Sequence, residues 1–368
     1  MRVSGVELRR VRLPLVVPFR TSYGVEHERD VLLVRIVADA TEGWGECVAM
    51  NEPLYTSEYV DSAHEVIRRF LVPRLAGRDV TASDLCAMFE PVKGHPMAKA
   101  AIEMAVLDAE LRAAGQSLAS RLGAVRTEVP AGVAVGIHDS LAALIDTVAG
   151  YLAVGYQRIK LKIEPGYDIA PVRAVRERFG DGLLLQVDAN SAYTLGDVST
   201  LADLDPFDLL LIEQPLAEDD IAGHATLARL IATPICLDES ITSAQSARAA
   251  IEAGACAVVN VKPARVGGLI EAVRIHDVCV EYGIGLWCGG MLESGLGRAA
   301  NVALAALPGF TLPGDLSASD RYFHQDITEP FVLVDGCLRV PTGPGLGVTP
   351  LPDVLAAVTT STEFIHLC

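Results

Sequence analysis

The sequence predicts an α/β chain: a closed barrel of parallel strands, preceded by a smaller α+β domain. Two observations predict it. From Val129 to Asp315 a unit of short apolar strand, polar loop and amphipathic stretch recurs, through VPAGVAVGI, QRIKLKIE, LLLQVDA, DLLLIEQP, PICLDES, AVVNVKPAR, IGLWCGGM and FTLPGD. Within this stretch Asp188, Glu213 and Asp238 stand 25 positions apart, each closing an apolar run. Runs this continuously apolar read as strands buried on both faces, and helical patterns such as APVRAVRERFG between them require parallel pairing through crossovers. Eight strands favour closure over an open sheet, around an apolar core.

Ahead of the barrel, residues 1 to 128 form a domain of their own. VSGVELRRVRL and DVLLVRIVADATEGWGECVAM read as antiparallel strands, and SEYVDSAHEVIRRFLVPRL and MAKAAIEMAVLDAELRAAG as helices. The barrel is placed at 129–320. Residues 321–368 return to strand and turn chemistry in EPFVLVDGCLRVPTGPGLGV, and are expected to pack back against the first domain, which could then lid the barrel mouth.

A chain of 368 residues, 51% hydrophobic, can bury a large core, while a formal net charge of −17 argues against nucleic acid or an anionic membrane as partner. A small-molecule substrate is expected instead. The eight cysteines include no CxxC pair and several sit in apolar runs, which points to reduced thiols and a cytoplasmic location. The N-terminal stretch alternates like a strand, and no apolar run approaches the ~20 residues of a membrane span.

One strand plus one helix per 25 residues puts the three acids on neighbouring strands at the same end of the barrel. Three such acids repel one another, so a cation is expected between them, and hard oxygen ligands without His or Cys select Mg²⁺ over zinc. Lysines flank the acids on both sides: Lys160 and Lys162 on one face of the preceding strand, Lys262 after the third acid. Lys162 and Lys262 read as catalytic, because a lysine beside another cation and a metal has its charged form disfavoured and its pKa lowered. Lys160, nearer the strand start, reads partly as a structural partner of the acids, and Arg265 could tune Lys262.

Other motifs carry little. Gly295, Gly297 and Ala300 match a dinucleotide pattern but lie between the seventh and eighth strands, with no acidic ribose partner about twenty residues on. Gly343, Gly345 and Gly347 are turn glycines with no phosphate-binding lysine after them. His64, His224 and His276 show no metal-ligand spacing and read as surface or helix residues.

The Lys160-x-Lys162 pair, the acids Asp188, Glu213 and Asp238, and Lys262 together resemble the enolase superfamily, in its muconate-lactonizing subgroup. The likeness spans the chain. RIKLKIEPG, LQVDAN, LLIEQPL, PICLDES, VNVKPARVGG, WCGGMLESGLGRAAN and LPGDLSAS are similar to the N-acylamino acid (N-succinylamino acid) racemases, many of which also have o-succinylbenzoate synthase activity. Relatives with a histidine base differ by having no lysine where Lys262 stands, and dipeptide epimerases differ by a second acid where Asp315-Leu316-Ser317 has Ser317.

The resemblance implies a (β/α)7β TIM-like barrel with an α+β capping domain. It implies Mg²⁺, with Mn²⁺ or Co²⁺ able to substitute, on Asp188, Glu213 and Asp238, oriented by Asn190 and Glu239. Lys162 and Lys262 would work from opposite faces of an α-carbon, through an enediolate. Phe19, Ser22, Met50 and Tyr55 from the cap, with Gly290, Met291, Leu292 and Tyr322, would surround the substrate's side chain or acyl group. A homo-oligomer is also implied. Two alternatives stand beside the racemase and synthase reading: a muconate cycloisomerase-like enzyme, and a catalytically silent barrel that binds.

Overall fold

The computed structural model describes residues 1–39 and 41–367. Three sheets organise the chain. The first is antiparallel and four-stranded, in the order β13-β1-β2-β3, from β1 (Val3–Thr21), β2 (Gly24–Ala38), β3 (Thr41–Cys47) and, from the far end of the chain, Thr359–His366 as β13. Between these and the barrel, β4 (Glu128–Pro130) pairs with β12 (Cys337–Arg339).

The second domain-sized sheet is parallel, in strictly sequential order: β5 (Gly132–Val135), β6 (Arg158–Lys162), β7 (Leu184–Asp188), β8 (Ile212–Glu213), β9 (Ile235–Leu237), β10 (Val258–Val261) and β11 (Gly285–Cys288). A helix follows each strand, which is what apolar strands buried on both faces require.

Two sequence expectations need correction here. The run VPAGVAVGI is two strands, with β4 outside the barrel and β5 inside it. The eighth run, FTLPGD, is no regular strand. It joins β11 through a bridge between Leu286 and Phe310 and joins the other end through a bridge between Ala131 and Gly314. Pro313 has no N–H to give, so the ladder cannot run through it. The ring still closes: Gly132 N–H donates to the Gly314 carbonyl at 2.7 Å, and Asp315 N–H donates to that of Cys288 at 3.0 Å.

The barrel core is not purely apolar either. Arg158, Lys160, Gln186 and Asn260 are buried inside it with Trp287. Side-chain alternation explains this, because Arg158, Lys160 and Lys162 share one face of β6 and so stack from floor to mouth. The Arg158 guanidinium and the Lys160 ammonium lie 5.1 and 4.8 Å from the Trp287 ring centroid, an arrangement that shelters charge on an aromatic face.

The cap's long helix, Pro96–Ala114, is alanine-rich and lies on the first sheet at very close range. A Cβ on Gly43 or Gly45 of β3 would come within 2.1 Å of helix backbone, so only glycine permits the packing. The helix starts on Pro96 and stops at Gly115, which takes a left-handed φ of 65°. The tip of the β1–β2 hairpin then reaches the barrel mouth. Ile137 N–H donates to the Arg20 carbonyl, and the Arg20 guanidinium pairs with Asp139 and Glu164 in the first two βα loops. Among the described residues no helix is long and apolar enough to cross a membrane.

Candidate active site

The three acids end up side by side because the sheet register puts them there. Asp188 is aligned with Lys162 on one side and Glu213 on the other, and Asp238 follows directly after β9. All three are buried at the C-terminal end of the strands, the face on which barrel loops converge. The backbone there is strained: Asn190, Ser191, Gln214 and Leu292 have positive φ, four of the seven such non-glycine residues described. Side chains held at sparsely populated backbone angles next to a cluster of charges are what a site demands rather than what a core prefers.

Each lysine is clasped by acids. Lys160 Nζ lies 2.8 Å from Glu213 Oε2, 3.0 Å from Asp188 Oδ2 and 2.6 Å from Asp315 Oδ2. Lys162 Nζ donates to Asp188 Oδ2 at 2.6 Å and to Asn190 Oδ1 at 2.5 Å. Lys262 Nζ donates to Asp238 Oδ2 at 2.5 Å and to the Tyr55 hydroxyl at 2.8 Å. Since β6 and β10 are four places apart in a ring of eight, Lys162 and Lys262 face each other across the mouth.

The expected fall in the Lys262 pKa is not what this arrangement produces. Burial works to lower it, but Asp238, Glu213 and Glu239 outweigh burial and hold the ammonium well above its usual range. Lys160 is raised in the same way, by Asp188, Asp315 and Glu213 against burial. Asp188, despite burial, is held well below the usual carboxylate range by Lys160 and Lys162. Glu213 goes the other way: burial and the like charges of Asp188 and Asp238 push it well up, against the pull of Lys160.

That raised Glu213 is one sign that the acids fit a divalent cation, which would relieve their repulsion. A second is Asp238 Oδ1, buried without a hydrogen bond, although it makes an ion pair of 2.9 Å with Arg265. The donor set is all carboxylate oxygen, suited to a hard ion. Among the described residues no three acids are drawn tightly round one point, because the lysine ammoniums lie against them. The order of acids on adjacent strands is fixed by the sheet, whereas each carboxylate turns on its own torsions.

The residues named from the sequence as orienting groups lie around this core. Asn190 Nδ2 donates to Glu239 Oε1 at 3.0 Å, and Arg265 reaches the Ile241 carbonyl at 2.6 Å. Burial and the nearby Asp238 push the Glu239 carboxyl up to about 7. Of the expected pocket residues, Phe19, Met50, Tyr55, Gly290, Met291, Leu292 and Tyr322 line the cleft with the lysines, while Ser22 does not line it and turns its hydroxyl to the Ala189 carbonyl at 3.4 Å. The cleft holds only about 30 Å³. Larger clefts exist, one of about 380 Å³ beside the helix Ala82–Phe89, but the acid and lysine cluster converges on the narrow one.

Three contributors, Tyr23, Ala134 and Asn260, went unnoticed in the sequence, and a fourth, Asp315, was noted there without its pairing. Tyr23 and Ala134 line the cleft, Asp315 pairs with Lys160 and Arg158, and Asn260 Nδ2 donates to Glu213 Oε1 at 2.7 Å. Asn260 and the pairing of Asp315 could have been found: the first is two residues before Lys262 and therefore on its face, and Asp315 ends the eighth run as the other acids end theirs. Two histidines thought plain are buried, His224 as acceptor for Leu216 N–H and His276 stacked on Phe310.

A capped parallel barrel with acids on three successive strands and lysines facing across them defines a class, and comparison bears it out. Residues 4–123 match the mandelate racemase / muconate lactonizing enzyme N-terminal domain and residues 143–354 the enolase C-terminal domain-like family, so the chain belongs to the enolase superfamily. Nearer relatives narrow this. The chain is 64% identical over 366 residues to the N-succinylamino acid racemase of an Amycolatopsis species, covering 99% of this chain and 100% of that one. It is 45% identical over 350 residues to the o-succinylbenzoate synthase of Geobacillus kaustophilus, covering 94% and 93%. Among solved structures, an enolase superfamily member from Listeria innocua superposes with a TM-score of 0.96 at 42% identity over the full length of both chains. The isomerase and lyase activities expected from the sequence are thus both named among its relatives.

Proposed function

We propose that this protein removes and returns the proton alpha to the carboxylate of N-acyl, and in particular N-succinyl, amino acids, racemising them, and that it also dehydrates a succinylated cyclohexadiene carboxylate to o-succinylbenzoate, a step of menaquinone biosynthesis. The observation that carries the reading is the pair Lys162 and Lys262, set on opposite sides of one mouth with a carboxylate under each. A divalent cation, Mg²⁺ with Mn²⁺ or Co²⁺ able to substitute, would be held by Asp188, Glu213 and Asp238 and would supply positive charge to the substrate carboxylate as an enediolate forms.

The chain's own residues do the rest. The lysine that is a neutral amine takes the α-proton on one face and becomes an ammonium, and the other, an ammonium at the outset, gives up its proton from the opposite face and becomes neutral, which inverts the carbon. Asp188 and Asn190 hold the Lys162 ammonium, while Asp238 and Tyr55 hold that of Lys262, so each nitrogen is aimed before substrate arrives. Lys160, gripped by three acids, is a fixed positive charge beside the reacting carboxylate rather than a base. Dehydration needs one base, Lys162, which can protonate the departing hydroxyl while Lys262 stays cationic.

The division at 1–128, 129–320 and 321–368 belongs to the same reading, with the cap closing over the mouth through Phe19, Tyr23, Met50 and Tyr55, which line the cleft. A cytoplasmic homo-oligomer completes it, in keeping with seven described cysteines that are all free. The test is polarimetry with N-succinylmethionine in the presence of Mg²⁺, then with EDTA. Racemisation that EDTA abolishes is expected; full activity in EDTA with no bound metal would overturn the cation assignment, and turnover of free methionine as fast as the acylated form would overturn the substrate class.

A further inference from the structure

Two arginines lie against Tyr322, which forms one wall of the cleft. The Arg321 guanidinium lies 4.9 Å from the Tyr322 ring centroid, and that of Arg298 lies 5.7 Å from it. Neither has a carboxylate within 4.0 Å among the described residues, although the three lysines at the mouth do. Arg298 spends its charge on backbone, donating to the carbonyls of Ser317 and of Glu293. Arg321 is held by Ala134, whose carbonyl accepts from it at 3.0 Å, and by the rings of Phe19 and Tyr151 at 5.8 and 5.0 Å. Its Nε is buried with no hydrogen-bond partner.

Phe19, Ala134 and Tyr322 all line the cleft, so Arg321 packs against three of its lining residues. A cation supported by aromatic faces and one carbonyl, with a donor left over and no acid to neutralise it, projects positive potential into a site of low dielectric. The lysines cannot serve a second anionic group, since each is already engaged by Asp188, Glu213, Asp238 or Asp315. We infer that Arg321 is the specificity-determining residue for the acyl group, selecting one that ends in a carboxylate over a neutral acyl group of the same size. The inference rests on the proposed action on N-succinylamino acids and adds the residue that sets the preference for that acyl group and why.

The test compares N-succinylmethionine with its neutral isostere N-succinamoylmethionine, on the full-length chain with Mg²⁺. For the unaltered protein kcat/KM should favour the succinyl compound by about tenfold to a hundredfold, the range of a hydrogen bond to a charged group. In Arg321→Met that preference should vanish, through a higher KM for the succinyl compound alone, and Arg321→Lys should restore part of it. Equal losses on both compounds would reduce Arg321 to a prop for Phe19 and Tyr322 and overturn the inference, as would an unchanged preference in Arg321→Met. Calorimetric affinities for the same two compounds decide the matter independently of turnover, so a protein that binds the succinyl form selectively yet racemises neither compound would refute the proposed reaction while supporting the role of Arg321.

Discussion

Buried carboxylates occur in two regions of this molecule, and the aspartates of one behave oppositely to the glutamates of the other. At the barrel mouth Asp188, Asp238 and Asp315 are held below the usual range by lysine and arginine, despite burial. At the seam between cap and barrel, Glu46 and Glu103 have no basic side chain within 4.0 Å among the described residues and are pushed up to about 7 by burial. The seam acids accept from backbone instead. Glu46 takes the N–H groups of Ser294 and Gly297 at 3.0 and 2.9 Å, and Glu103 takes that of Ile270 at 3.1 Å, each at the start of a barrel helix. Helix starts have spare N–H groups, so an acid from the cap can tie a barrel helix without a counter-charge. The same residue type thus serves charge chemistry in one place and domain docking in the other, and its partners decide which.

The mouth breaks most readily at its lysines. Lys162→Ala and Lys262→Ala should each lower racemisation by a factor on the order of 10³ or more, given what a positioned proton-transfer group contributes. Each variant should still exchange the α-proton of one enantiomer with solvent deuterium through the surviving lysine, as read by NMR. A single variant that racemises at the unaltered rate would mean that one lysine does both transfers.

Next in size is the loss of the mouth's central cation. Lys160→Met leaves Glu213 without a cation among the described residues and takes one of two from Asp188 and from Asp315, and removing one partner of a buried ion pair costs about 3–5 kcal/mol. Urea unfolding in chelator should reveal the loss, and Mg²⁺ should shrink it. A variant as stable as the parent in EDTA would show that the acids repel one another far less than their burial implies.

The seam should respond to pH and leave the chemistry alone. A folded pKa of about 7 against 4.5 for the free side chain means that stability from Glu46 or Glu103 is fully present below about 4.5 and is lost as pH rises through 7. The difference is worth up to about 3 kcal/mol per group. Glu103→Gln should therefore flatten the unfolding free energy between pH 5 and 8, by about 1–3 kcal/mol, with little change in kcat. If its pH profile runs parallel to that of the parent, Glu103 does not titrate in this window.

Much of the mouth was legible because parallel strands impose a strict rhythm. Acids 25 residues apart at the ends of apolar runs, and lysines two apart within one, fix strand, face and end before any packing is known. The seam was invisible for the converse reason: Glu46 and Glu103 sit in ordinary strand and helix patterns, and their partners are backbone groups some 250 and 167 residues away. The polar barrel floor was missed as well, since RIKLK is as consistent with a solvated lysine as with one enclosed by three acids.

By itself, then, the sequence determined the α/β class, the succession of strands and helices, and which acids and lysines share one end of the barrel, all of which follow from periodicity and hydrophobic burial along the chain. Only the tertiary structure decided what those charges do to one another. It raised Lys262 where local reasoning lowered it, closed the ring through Phe310–Asp315 although Pro313 interrupts the ladder, and left Arg321 against Tyr322 without an acid among the described residues. Periodicity acts over neighbouring residues, whereas electrostatic balance in a buried site is summed over every charge that the fold brings within a few ångströms, whatever its distance along the chain.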